Sequence, residues 1–234
     1  MSFWNEHDDS ALLEELNAFD QQKGRQMQLM LTSIRERLRK HAPGDIAAKA
    51  GIVFDPAEKV FRMESLGEEI VISCPGYEIR QSLEMWHALT LLQYMETADG
   101  TLLSGRLISL TEMEGGLSRG YGFNKDIETM FHRYFPQTDP DSFRKACESL
   151  GGEIINGKGD VTAVIRYAPR FPVTVNIWCA DDEFPASGKT LIDSNAGHYL
   201  TIEAAGGACA TVVQAIRDRI GENRENIKKR QEDL

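Results

Sequence analysis

Cysteine is scarce in this sequence and never clustered. Cys74, Cys147, Cys179 and Cys209 form no CxxC pair and no run with the spacing of a zinc or iron–sulfur site, so reduced, structurally incidental thiols are expected. Long apolar runs are missing too. None approaches the roughly 20 residues that cross a bilayer, and the opening MSFWNEHDDS is polar and acidic where a signal peptide is basic and then apolar. A cytoplasmic protein with no membrane association is therefore expected. Basic residues are outnumbered by acidic ones, 26 to 36, and the resulting net charge of -10 opposes any partner gripped mainly through phosphates. No nucleic-acid partner is expected. The histidines His7, His41, His87, His132 and His198 never fall at i, i+4 or at zinc-ligand spacing.

What remains is an ordinary globular composition, 41% hydrophobic and 26% charged, on 234 residues, enough to bury a sizeable core without crosslinks. Apolar residues recur at helical spacing from Leu12 to Leu38, with acids early and arginines late. A helical N-terminal arm over 1–42 follows, with Gly24 a point where it can break and Pro43-Gly44 its edge. An α+β domain over 43–220 comes next, and a charged helical or frayed tail over 221–234.

Inside the domain, Val60 to Glu64 and Ile70 to Ser73 read as a hairpin turning at Leu66-Gly67. Gln81 to Thr97 reads as a helix, and Leu107 to Leu110 as a short strand. The run EGGLSRGYGF over 114–123 reads as a loop feeding a helix capped by Asn124 or Asp126, and Asp141 or Ser142 as the start of the next helix. VTAVIRYA and VTVNIWCA flank APRFP and read as the centre of the sheet. TLID gives another strand, and Ala204, Ala208, Val212, Ile216 and Ile220 lie on one helix face. The fold class expected is α+β, a mixed or antiparallel central sheet with hairpins flanked by helices.

Two segments carry the candidate site. In the glycine-rich run, Gly116, Arg119 and Tyr121 are candidates for cradling a ligand, because backbone N–H groups near a helix start attract anions. RGYGF over 119–123 matches the first half of an RNA-binding strand motif, but Asn124 and Asp126 break it. At the end of an apolar strand, Trp178, Asp181, Asp182, Glu183 and Phe184 gather, and Asp193 closes the next strand. Asp181, Asp182, Glu183 and Asp193 are candidate ligands for a hard divalent cation; the alternative is a solvated turn whose carboxylates cap nearby amides. A local hydrogen bond between His198 and Asp193 is expected in preference to a catalytic dyad. Ser187 lacks the GxSxG elbow of a nucleophile.

The run GDVTAVIRYAPRFPVTVNIWCADDEFPASGKTLIDSNAGHYLTIE over 159–203, with DEFPASG and LID its most specific part, resembles the signature region of the uncharacterised family called domain of unknown function 3786. DPAEKVFRM and LSGRLISLTEMEGGLSRGYGF resemble earlier blocks of the same family, so the similarity runs from Gly44 to Ile216. The resemblance implies an anaerobic bacterial or archaeal setting, and it supplies no activity, cofactor or catalytic residue. Some members carry a four-cysteine iron–sulfur module at the N-terminus; residues 1–42 here contain no cysteine. The function expected is a non-catalytic binding or accessory protein, serving anaerobic metal-cofactor metabolism. The alternatives are a divalent-metal-dependent enzyme using the acidic loop and a homo-oligomeric scaffold, or a protein partner, joined through the N-terminal arm.

Overall fold

The computed structural model describes residues 9–232, with side chains for 22 and 24–222. Alternation of Phe61 and Met63 with Arg62 and Glu64 gives strand β2 (Val60–Ser65) one inward face. Its hairpin partner β3 (Glu68–Ser73) follows a turn in which Leu66 and Gly67 both take positive φ, 51° and 77°, the conformation that suits the twist of a two-residue hairpin. Gly67 is needed on a second count, since a Cβ there would stand 2.7 Å from the backbone of Leu150. Strand β1 (Val53–Asp55) completes an antiparallel three-stranded sheet in the order β1-β2-β3.

The second sheet is also antiparallel and has five strands. In chain order they are β4 (Leu107–Ile108), β5 (Glu153–Ile155), β6 (Val161–Ala168), β7 (Phe171–Trp178) and β8 (Ser187–Asp193), and the spatial order is β4-β8-β7-β6-β5. The β-branched runs thus form its middle. Val161, Ala163 and Ile165 of β6, Val173, Val175 and Ile177 of β7 and Ile192 of β8 are fully buried beneath the helices. The two sheets meet where the Leu66 amide donates to the Arg166 carbonyl at 2.9 Å.

Among the described residues six α-helices accompany these sheets: α1 (Asp9–Leu38), α2 (Pro43–Ala50), α3 (Met85–Thr97), α4 (Gly116–Tyr134), α5 (Pro140–Ser149) and α6 (Ile202–Glu232). None of the described helices is long and apolar enough to cross a membrane. On α6, Ala204, Ala208, Val212, Ile216 and Ile220 are buried, as their spacing requires. Leu31, Ile34 and Leu38 of α1 belong to the same apolar cluster as both sheets.

Several sequence expectations need correction. α1 runs unbroken through Gly24. α3 begins at Met85, because the Glu84 carboxylate accepts from the Trp86 and His87 amides and so caps it there. Asp139, with Pro140 in the first turn, caps α5, not Asp141 or Ser142. The largest difference is the run over 114–123, which is helix from Gly116 onward. Gly116 and Gly120, one turn apart, lie against the backbone of a short 3-10 turn, Leu110–Glu112; a Cβ on Gly120 would sit 2.6 Å from the Leu110 carbonyl carbon. Here glycine serves close approach, not looseness. RGYGF is accordingly helical, so it is not the strand on which an RNA-binding motif displays its aromatics.

Candidate functional site

Strand β8 has one complete neighbour and one incomplete one. β7 pairs with it from Ser187 to Ile192, but β4 pairs only Leu107 with Asp193 and Ile108 with Ile192 before the chain turns into the Leu110–Glu112 turn. The Ser194 amide donates to the Arg106 carbonyl at 2.8 Å, which fixes the phase of the edge. In an extended strand alternate residues address the same side, so Ser194, Ile192, Thr190 and Gly188 direct their N–H and C=O groups away from β7. Past Ile192, no described residue bonds the outward backbone groups of Thr190 and Gly188, but Thr190 is buried, and it is the Ser187–Lys189 end of the strand that reaches the surface.

Alongside this bare edge runs α4, leaving a groove of about 590 Å³. Tyr121, Lys125 and Glu128 line it from α4 at intervals of one turn, with Ile127 buried at its base. Ser109 and Thr111 close the end where β4 departs, and Trp178 stands at the other end across from Ser187. Tyr121 is 69% exposed and Trp178 is 36% exposed, and the indole is held by donating to the Lys158 carbonyl at 3.1 Å. Glu112 is exposed: it accepts from the Ser109 amide at 2.8 Å and from the Ser109 hydroxyl at 3.0 Å, and these bonds hold its carboxyl below the usual range. Lys125 and Lys189 are exposed, with Glu128 on the same groove wall and the Glu112 carboxylate near enough to Lys189 to be lowered by its charge.

Of the residues singled out from sequence, Tyr121 and Trp178 meet in this groove. Gly116 is buried against Leu110, and Arg119 is ion-paired with Glu203 of α6. The acids do not converge. Asp181 folds back on its own turn, accepting from the Glu183 amide at 2.9 Å and the Phe184 amide at 2.7 Å, which lower its pKa. Asp182, Glu183 and Phe184 are exposed beside it. Asp193 lies at the far end of β8, about 20 Å from Ser187 at the usual rise of a strand. Its carboxylate accepts from the Ser104 amide and hydroxyl and from the amides of Gly105 and Asn195, at 2.7–3.0 Å. Burial opposes its ionisation, yet these donors prevail and its pKa is lowered. Among the described residues no group of three or more His, Cys, Asp or Glu is placed to hold a metal ion. His198 does not meet Asp193 either; its Nδ1 pairs with Asp99 at 2.6 Å.

A second cleft of about 490 Å³ opens beside α6, lined by Glu84, His87 and Asp218. His87 Nε2 lies 2.9 Å from the Ser65 hydroxyl, which donates onward to the Tyr167 carbonyl at 2.7 Å. With its proton committed there, Ser65 is a buried link and not a free nucleophile.

Residues 42–215 match the family model described as Domain of unknown function (DUF3786). The chain belongs to this family. The DUF3786 region runs from the residue before α2 into α6, so it contains the whole groove and leaves α1 outside. No curated protein and no solved structure matches the chain. Sequence reasoning missed Lys125, Lys189 and the backbone of Gly188 and Thr190. The one available signal was the brevity of the β-rich stretch at Leu107 beside the longer one ending in TLID.

Proposed function

We propose that this DUF3786 protein is a non-catalytic binding module, an accessory protein whose ligand seats between α4 and the open edge of β8. The observation that carries the reading is the groove of about 590 Å³ beside β8, flanked by exposed Tyr121 and Trp178 with Gly188 and Ser109 on its walls. Polar groups at fixed positions beside apolar contact area are what a recognition site requires. The Ser109 hydroxyl at the end of the groove is engaged with Thr111 and Glu112, which supports a binding role for it over a chemical one. A reducing, cytoplasmic setting is part of the proposal, supported by four free cysteines.

A ligand-observed fragment screen on the full chain, with amide shifts mapped by NMR, tests this. Fragments should converge on Tyr121, Lys125, Trp178 and Lys189, and Tyr121→Ala or Trp178→Ala should weaken them about tenfold while the fold persists. Convergence on the Glu84 and His87 cleft instead, or indifference to both substitutions, overturns the reading.

A further inference from the structure

We infer that the second cleft, between α3 and α6, is a binding site for a small primary amine with an apolar body, held as its ammonium ion by Glu84, Asp218 and the Nδ1 atom of His87. It has no lining residue in common with the groove beside β8, so it is a further site and stands apart from the one proposed above. Ser65 decides the tautomer of His87. The Ser65 hydroxyl donates to the Tyr167 carbonyl at 2.7 Å, so the 2.9 Å contact with the ring has to carry a proton from His87 Nε2 to Ser65 Oγ. Burial keeps the ring neutral at pH 7, which leaves Nδ1 a bare acceptor. His87 is 6% exposed, and no described residue donates to Nδ1. The enclosed side-chain polar atoms that lack partners belong to Thr190 and Asn195, so Nδ1 is not sealed in; it opens to the cleft that His87 lines and needs a donor there.

The charged walls call for the same ligand. Glu84 commits Oε2 to the Trp86 and His87 amides, and Asp218 commits Oδ1 to the Arg217 guanidinium; the second oxygen of each carboxylate is free among the described residues. Thr211 has already given its proton to the Gly207 carbonyl at 2.9 Å, and Gln214 can present either end of its amide. No described lysine or arginine lines this cleft, and in the adjoining recess Arg219 is taken by Glu68 at 2.9 Å and Glu222 at 3.2 Å. An ammonium ion brings three donors and no acceptor, which matches this set. Apolar area lies beside it. The Trp86 indole is half-buried with its Nε1 edge against Gly207, where a Cβ would collide with it, and its face can attract a cation. A volume of about 490 Å³ suits a small molecule.

Titration of the full chain with 2-phenylethylamine, followed by calorimetry and NMR, is the experiment. The amine should bind, with amide shifts centred on Glu84 to His87 and Ala210 to Asp218, whereas 2-phenylethanol and phenylacetate, alike in shape but neutral and anionic, should bind at least about tenfold more weakly. Glu84→Gln keeps an oxygen to cap α3 and Asp218→Asn alters an exposed side chain, so each should weaken the amine about tenfold while the chain still melts cooperatively. Nitrogen-15 spectra of the imidazole should show Nε2 protonated and Nδ1 bare, and the amine should move the Nδ1 resonance. The N,N,N-trimethyl analogue, which keeps the charge but has no N–H, should leave it in place. Absence of amine binding, equal binding of amine and alcohol, indifference to both substitutions, or an Nδ1 resonance unmoved at saturation overturns the inference. Tighter binding of Nα-acetyl-lysine N-methylamide than of 2-phenylethylamine also overturns it, in favour of a lysine on a partner protein. Fragments without an amine decide the groove separately.

Discussion

Two aspartates near β8 carry the same group to opposite ends of usefulness. Asp193 gathers three amides and a hydroxyl, so Asp193→Ala leaves the buried Asn195 amide and three part-buried donors without their acceptor and should cost about 2 kcal/mol in urea unfolding. Asp182, exposed in the acidic turn, should change stability by less than about 0.5 kcal/mol on the same substitution. A third titratable residue links the core to pH. Burial pushes the His87 ring down from its ordinary 6.5 to about 4. As pH falls through 6.5 the unfolded chain takes up a proton that the folded chain refuses until about 4, so stability is lost across that window, by about 3 kcal/mol in full. Unfolding midpoints at pH 7 and pH 4.5 should differ markedly in the parent, and His87→Gln should flatten the difference.

At the scale of elements, α4 makes opposite predictions for two of its own glycines. Gly122 has open space where a Cβ would go, so Gly122→Ala should stabilise by about 1 kcal/mol through helix propensity alone. Gly120→Ala has the same propensity gain but drives a methyl into the Leu110 backbone, and thermal melting should show it destabilised. This contrast also explains what was legible in the sequence. The Leu66-Gly67 hairpin, the β6 and β7 pair around Pro169 and the buried face of α6 follow from period and turn chemistry and could be read directly. The helical start of α4 could not, since glycine's local preference opposes it and the compensating contact lies on the Leu110–Glu112 turn. Tyr121 and Trp178 were legible as ligand-binding candidates within the glycine-rich and acidic segments, whereas Lys125 and Lys189 look like any surface lysines until β4 is seen to stop short. Three acids in a row suggested a cation, but the Asp181 carboxylate is taken up by neighbouring amides of its own turn.

For the molecule as a whole, the boundary of the family region and the boundary of the core differ. The DUF3786 match starts at Ala42, yet Leu31, Ile34 and Leu38 sit in the common core, and the Arg35 and Arg39 guanidiniums donate to the Tyr77 and Pro75 carbonyls. A chain beginning at Pro43 would therefore expose the apolar surface that these three side chains cover, at about 2 kcal/mol or more for each lost contact. Circular dichroism should show it without a cooperative transition. Melting at the midpoint of the full chain would mean that α1 contributes nothing to the fold.

The length of β4 is then a control setting. Two residues of sheet pairing end where the chain enters the Leu110–Glu112 turn; grafting a few more residues of extended chain after Ile108 would carry the protein's own backbone further along β8. Such an insertion would act as a tethered competitor for the groove beside α4, and loss of fragment binding there with the fold intact would show it.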